Sequence, residues 1–383
     1  MRTVTRILHR TWTGLLLLLT SFVLFGCQSA VLKPPSGAAI RADRDDVVDP
    51  AQIVVLADNR IASENLRIKA QALGYEHQRT DDLAALGLFQ SVFIIPAGRT
   101  GAAAIAELEG LQGGVTAGVN HAYRPQRAEA GRRYARALMA WSDERCPLTN
   151  ALGVIDGHFG EMAPSIELGY FSGQKTDRVG HGADIVALIA SVAEIGPSTL
   201  FLADVFLRAN GEDVASVDGI LRAVAWMVEN DVRVVNISLA GPYNKILDRG
   251  LQRAHDRGAL MIAAVGNDGA SAPPRYPAAF TDVIAVTAID AEEQLYARAV
   301  RGQHVDIAAP GVDIFISSEG GRYQSGTSFA SPFVSLFFAL RSDDQLSADQ
   351  ARGVLSSHSR DIGAVGWDRE FGAGALQANL SCN

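Results

Sequence analysis

From Cys146 onward the chain repeats one pattern: a short, continuously apolar stretch followed by a segment whose apolar residues recur at helical spacing. The apolar stretches cover 151–155, 199–204, 233–238, 260–265 and 283–287, and helical spacing runs near 184–193, 217–229, 244–257 and 328–340. Strands that are apolar at every position must be buried on both faces, and helices between them supply the cover. This predicts an α/β, doubly wound, mostly parallel sheet. In such a sheet ligands bind beyond the C-terminal ends of the strands, so polar residues stranded there are the first to examine.

Upstream the pattern is different. Residues 53–56, 89–95 and 115–119 read as strands, while 62–73 and 102–111 carry helical spacing, the first stopped by Gly74. That β-α-β-α-β content predicts a small α+β unit over 51–126. Residues 127–145 are charged and Ala-rich and read as a helical connector to a larger domain at 146–383. Residues 27–50, rich in Pro, Ser, Gly, Asp and Arg, read as a flexible tether.

The first 26 residues have the form of an export signal. Arg2, Arg6 and Arg10 precede an apolar run from Gly14 to Gly26 that is short for a bilayer span. The run ends Leu24-Phe25-Gly26-Cys27, which resembles a bacterial lipobox with Cys27 as the residue to be lipidated, although Phe25 is bulkier than the usual occupant. A plain signal peptide cut elsewhere is the alternative. The lipobox reading implies an envelope lipoprotein held by a membrane anchor, and Gln28 after the cysteine favours the outer membrane. Setting Cys27 aside leaves Cys146 and Cys382, which either stay as two thiols or close a disulfide around the larger domain. Such a long loop would stabilise by roughly 4–5 kcal/mol in the chain-entropy model. The net charge of -8 supplies no surplus to neutralise phosphates and argues against a nucleic-acid partner.

Four short segments stand at strand ends or helix starts of the larger domain. Gly153-Val154-Ile155-Asp156-Gly157 ends an apolar strand on a carboxylate. Gly180-His181-Gly182-Ala183-Asp184 opens a helix on a histidine whose small neighbours allow close approach. Ala263-Ala264-Val265-Gly266-Asn267-Asp268-Gly269 holds an amide between glycines, able to present its NH2 to a developing oxyanion. Gly326-Thr327-Ser328-Phe329-Ala330-Ser331-Pro332 puts a serine in the first turn of an apolar helix, beside backbone N–H groups without helical acceptors. Taken singly, these are a turn carboxylate, an incidental histidine, an Asn-Asp-Gly turn and a helix cap.

Taken in order they resemble the subtilase family, with its Asp-Thr/Ser-Gly, His-Gly-Thr-His, Gly-Asn and Gly-Thr-Ser-x-Ala-x-Pro motifs. The resemblance covers 146 to about 382. It implies a subtilisin-like fold and a serine endopeptidase with Ser328 as nucleophile, His181 as base, Asp156 orienting the imidazole and Asn267 in the oxyanion hole. The implied chemistry uses no metal or cofactor, and structural calcium is compatible with the family but not indicated by any motif. Ser238, Leu239, Ala240 and Gly241 resemble the substrate-binding strand, with Ala263, Ala264 and Val265 as further substrate-binding positions. Ala308-Ala309-Pro310-Gly311 resembles the loop ahead of the nucleophile. The implied partners are protein or peptide substrates and the chain's own small unit, which looks like the family's inhibitor propeptide with 119–123 as its tail; a retained accessory domain is the alternative.

Three positions depart from the family pattern. Gly157-His158 follows Asp156, so a hydroxyl is missing beside the carboxylate; His158 is expected at the surface, with a hydrogen bond in the hydroxyl's place as the alternative. Ala183-Asp184 stands where Thr-His is usual, which brings a carboxylate near His181 that could raise its pKa, muted by solvent. Ala240 replaces a frequent glycine and would narrow the primary pocket. These departures leave a second reading, a catalytically impaired binding lipoprotein of the same fold. An esterase of the α/β-hydrolase type is excluded by motif order, because those enzymes run Ser, Asp, His and use Gly-x-Ser-x-Gly.

Overall fold

The computed structural model describes residues 48–378 except 126–127, 130–133, 143, 174, 176–177, 210, 318–320 and 342–344. The export signal, Cys27, most of the tether and Cys382 lie outside the described residues.

A nine-stranded sheet forms the centre of the larger part. Its order is Ser359–Arg360, Ala375–Leu376, Ile307–Pro310, Val283–Ile289, Leu260–Ala264, Val234–Ile237, Leu152–Asp156, Leu200–Asp204 and Glu167–Tyr170. Every neighbouring pair is parallel except Ser359–Arg360 with Ala375–Leu376. All five residues of Leu152–Asp156, Leu200–Asp204 and Leu260–Ala264 are buried, as strands covered on both faces require. Two helix pairs supply cover, His181–Val192 against Thr327–Ala339 and Val217–Glu229 against Lys245–His255. The expected α/β architecture is therefore present.

Chain direction across the sheet reverses beside Leu152–Asp156. The next long strands join it at Leu200–Asp204 on one side and then at Val234–Ile237 on the other. Asp156 thus stands at the C-terminal end of the strand where the order switches, the position such sheets use for ligands.

The smaller unit is a four-stranded antiparallel sheet in the order Glu76–Leu83, Leu88–Ile94, Gln52–Ala57, Val115–Val119. Its helices, Arg60–Ala72 and Gly101–Leu111, start on Asn59 and Thr100, whose side chains cap free backbone N–H groups. Alternation along the strands divides the sheet's two faces. Ile53, Val55, Phe93 and Ala117 pack with Leu66, Ala70, Ala104 and Leu108 into a local core. Val54, Leu56, Leu88 and Val92 join the main core instead. One strand was not foreseen: Glu76–Leu83 is almost wholly polar and lies at the sheet edge, with no apolar alternation to announce it.

The connector is not one helix. Ala128–Glu129 is a strand paired with Gln324–Ser325, and among the connector's described residues Ala135–Leu138 is the helical part. Ala308-Ala309-Pro310 is likewise not a loop but most of a central strand, which pairs with 286–289. Among the described residues no helix is long and apolar enough to cross a membrane.

Candidate active site

The three side chains brought together at the switch point come from three elements. Asp156 ends its strand, His181 opens helix His181–Val192, and Ser328 lies in the first turn of Thr327–Ala339. Nδ1 of His181 is 2.8 Å from Oδ2 and 3.0 Å from Oδ1 of Asp156. Nε2 is 2.9 Å from Oγ of Ser328. All three residues have no exposed surface, so the charge and the polar groups interact in a medium of low dielectric. A carboxylate accepting from Nδ1 leaves Nε2 as the basic nitrogen facing the hydroxyl.

Backbone contacts hold the acid and the imidazole in register. The Gly157 N–H donates to Asp156 Oδ1 at 2.8 Å, supplying a donor where the family's hydroxyl is absent. Gly180 N–H donates to the His158 carbonyl at 2.8 Å, and Gly182 N–H to the Gly157 carbonyl at 2.9 Å. The approach at Gly182 is so close that a Cβ there would sit 2.6 Å from that carbonyl oxygen. Asp204, beside Asp156 on the next strand, accepts from the His158 and Phe206 N–H groups. Burial pushes its carboxyl up to about 6.

Asn267 is oriented from its oxygen end. Oδ1 accepts from the Thr327 N–H at 3.0 Å and from its hydroxyl at 2.9 Å, so the amide NH2 is carried on the end away from Thr327. The Thr327 hydroxyl is itself 3.2 Å from the Gly266 N–H, where φ is +100°.

The nucleophile helix contains Pro332, which has no N–H to offer the Ser328 carbonyl four residues earlier. A hydroxyl from another element takes that place: Ser238 Oγ lies 3.1 Å from the Ser328 carbonyl. Asn236 Nδ2 donates to Ser238 Oγ at 2.8 Å, and Ser335 Oγ donates to Asn236 Oδ1 at 3.2 Å. None of these residues was singled out for this role by sequence, because Pro and Ser acquire it only when the strand and helix meet.

The expected substrate strand carries a strand of the chain itself. Ala122–Pro125 runs antiparallel to Glu212–Ser216 through Tyr123 with Ala215 and Ala122 with Ser216. On its other edge Pro125 pairs with Leu239 and Arg124 with Ala240. Gly241 bridges Tyr276. Ala263, Ala264 and Val265 are buried at the end of their strand, just before Asn267. The expected tail, 119–123, thus reaches the cleft and continues along it.

Two expectations about neighbours are corrected. His158 is 5 % exposed rather than at the surface, because its ring packs on Phe206. Asp184 is 2 % exposed, and its charge meets Arg322 and the Gln324 amide across the helix rather than standing in solvent beside His181. Cys146 is disulfide-bonded; Cys382, its expected partner, lies outside the described residues.

The fold and site define a class, and sequence comparison agrees with it. The Subtilase family profile matches residues 169–374, more than half of the chain, and the chain belongs to that family. The match includes His181, Asn267 and Ser328, while Asp156 precedes it. Among relatives, the minor extracellular protease Epr of Bacillus subtilis is 32% identical over 219 residues, 54% of this chain and 34% of that protein. The chain therefore spans about a third of that relative's length. Subtilisin DY of Bacillus licheniformis is 32% identical over 202 residues, 49% of this chain and 73% of that protein. Fervidolysin from Fervidobacterium pennivorans, described as a keratinolytic enzyme related to subtilisin, shares the fold with a TM-score of 0.69 at 16% identity. That superposition covers 88% of this chain and 61% of that one.

Proposed function

We propose that the chain is a self-processing serine endopeptidase, exported as a lipoprotein. The observation that carries the activity is the buried relay from Asp156 through His181 to Ser328. His181 Nε2 accepts the Ser328 hydroxyl proton as Oγ attacks the scissile carbonyl, and the Ser328–substrate ester forms as the proton passes to the leaving amine. Asp156 holds the imidazole and stabilises its charged form. Asn267 NH2 and the first-turn N–H of Ser328 receive the oxyanion. Water, activated by His181, then releases the acyl group. A fluorophosphonate tests the reading directly: wild type is labelled and cuts casein, and Ser328→Ala does neither. Absence of labelling in wild type would favour the impaired binding protein instead.

Support for self-processing comes from the strands flanking Ser328. Ala122–Pro125 occupies one side of the cleft, and Ala128–Glu129 pairs with Gln324 and Ser325 on the other. The bond cut in this reading lies between Pro125 and Ala128. N-terminal sequencing of the mature protein is expected to begin at Gln126, Arg127 or Ala128, and the Ser328→Ala chain is expected to stay uncut.

If Cys27 carries the lipid, the anchor lies upstream of the cut, and processing leaves the protease attached only through contacts with the small unit. These contacts are substantial: Arg79 and Gln90 reach Asp218, Lys245 reaches Glu109, and Arg249 reaches Asp58. Fractionation of wild type and Ser328→Ala separates the outcomes, since equal membrane retention of the 146–383 region in both would mean that processing does not release it. Loss of palmitate labelling in Cys27→Ala would support the anchor.

A further inference from the structure

His158 stands where the family places glycine, and its backbone keeps a glycine-like conformation with φ at +61°. Few residues other than glycine adopt that region, histidine among the more tolerant of them, so what the imidazole does there is decided by its contacts. The ring is buried, packed at a tilt against Phe206 with centroids 5.5 Å apart, and its Nε2 lies 3.3 Å from Oδ2 of Asp213. The other Asp213 oxygen, Oδ1, takes Arg178 and Arg208, each at 3.0 Å. Burial pushes the Asp213 carboxyl up, but the Arg208 hydrogen bond and the nearby His158 outweigh it and leave it below its ordinary value.

What the pair joins gives it meaning. His158 lies two residues after Asp156, and its carbonyl accepts from Gly180, the residue before His181. Asp213 belongs to the Glu212–Ser216 strand, whose Ala215 and Ser216 wall the cleft against Tyr123 and Ala122. Phe206, on the partner strand of that hairpin, fills the space over Gly157, where a Cβ would come within 2.1 Å of its ring. The loop that follows the acid and the wall that holds the peptide are therefore fastened together by one imidazole–carboxylate contact and one ring.

Resting on the endopeptidase reading, we propose that His158 is a positioning residue that fixes the Glu212–Ser216 wall and so sets affinity for substrates extended on the acyl side of the cut. It touches no reacting atom. Its effect should appear with peptides long enough to pair along Ala215 and Ser216, and not with a single-residue ester.

His158→Gly is the informative variant, because glycine accepts a φ of +61° without strain and the chain is expected to fold. With the processed enzyme, KM for a peptide of four residues before the cut should rise by about tenfold with kcat held within about twofold, the pattern of lost uniform binding. Single-residue ester kinetics and the fluorophosphonate labelling rate should stay within about twofold of wild type. Asp213→Asn should reproduce the KM effect, and the double variant should be no worse than the more severe single one. Equal losses on both substrates, an unchanged KM, or additive effects would each overturn the proposal. Hydrogen exchange of 212–216 in the whole chain gives a readout without turnover, expected to quicken in both single variants; unchanged exchange overturns the proposal as well. A wild type that takes no fluorophosphonate label would instead overturn the endopeptidase reading, leaving the exchange result to decide the role of His158.

Discussion

At the scale of single residues, the site depends on groups that cannot move without losing a partner. In the proposed reaction Ser328→Ala removes the attacking oxygen and is expected to lower kcat by about six orders of magnitude, read by casein or peptide turnover. On the same reading Asn267→Leu should leave KM nearly unchanged and lower kcat by roughly a hundred- to a thousandfold, because the proposed role of the amide begins only once the oxyanion forms. Gly182→Ala tests the fit between the acid loop and the imidazole helix. A methyl 2.6 Å from the Gly157 carbonyl must push the two apart, so labelling should slow before the protein loses its fold. The proximity of Asp156, His181, Asn267 and Ser328 was legible from the chain because the first three adjoin glycines that allow close approach and Ser328 lies in Gly326-Thr327-Ser328-Phe329-Ala330-Ser331-Pro332. His158 and Asp184 were not, since burial and pairing with Asp213 or Arg322 depend on segments 55 and 138 residues away.

At the scale of elements, the helix Thr327–Ala339 is unusual in keeping Pro332 near its start while all thirteen residues are buried. Its first turn is completed from outside by the Ser238 hydroxyl. Ser238→Ala should leave the Ser328 carbonyl under-bonded and destabilise the protein by about 1–3 kcal/mol, measured as a shift of the denaturation midpoint in the Ser328→Ala background. Five strands of the central sheet, Leu152–Asp156, Leu200–Asp204, Val234–Ile237, Leu260–Ala264 and Val283–Ile289, were legible because apolar runs of this kind have few alternatives, whereas Ile307–Pro310, Glu167–Tyr170 and the two short strands at the far edge were not. Glu76–Leu83, the hairpin of Phe206–Ala209 with Glu212–Ser216, and the helix Ala348–Ser357 were not, being short, polar or only partly buried. Their pairing is decided by what lies beside them rather than by their own pattern.

At the scale of the molecule, the two units meet through a layer with both apolar and ionic parts. At its edge the Asn244 side chain caps the helix Lys245–His255 through Oδ1. Its NH2 reaches the Val119 carbonyl at 2.9 Å and His121 Nδ1 at 2.8 Å. His121 must be neutral to accept there, and burial lowers its pKa to about 4. Above pH 6.5 the ring is neutral folded or unfolded and brings no penalty. As pH falls from 6.5 toward 4 the unfolded chain takes up a proton that the folded chain refuses, and stability declines by up to roughly 3 kcal/mol. His304, likewise lowered to about 4 by burial, acts in the same window. The uncut Ser328→Ala chain should therefore lose stability between pH 6.5 and 4, and His121→Gln should flatten part of that slope. A chain whose midpoint is constant over this range would contradict the coupling.

The sequence by itself determined the family, the order of the motifs and the parallel sheet, because apolar runs, glycines and the Gly-Thr-Ser-x-Ala-x-Pro helix start act through near neighbours. Only the tertiary structure decided that the acid, imidazole and hydroxyl stand within hydrogen-bond distance at the sheet's switch point. It also decided that the chain's own Ala122–Pro125 lies in the cleft and that His158 is fastened to its wall. Those relations join residues distant along the chain, and burial and close packing alone set which of them meet.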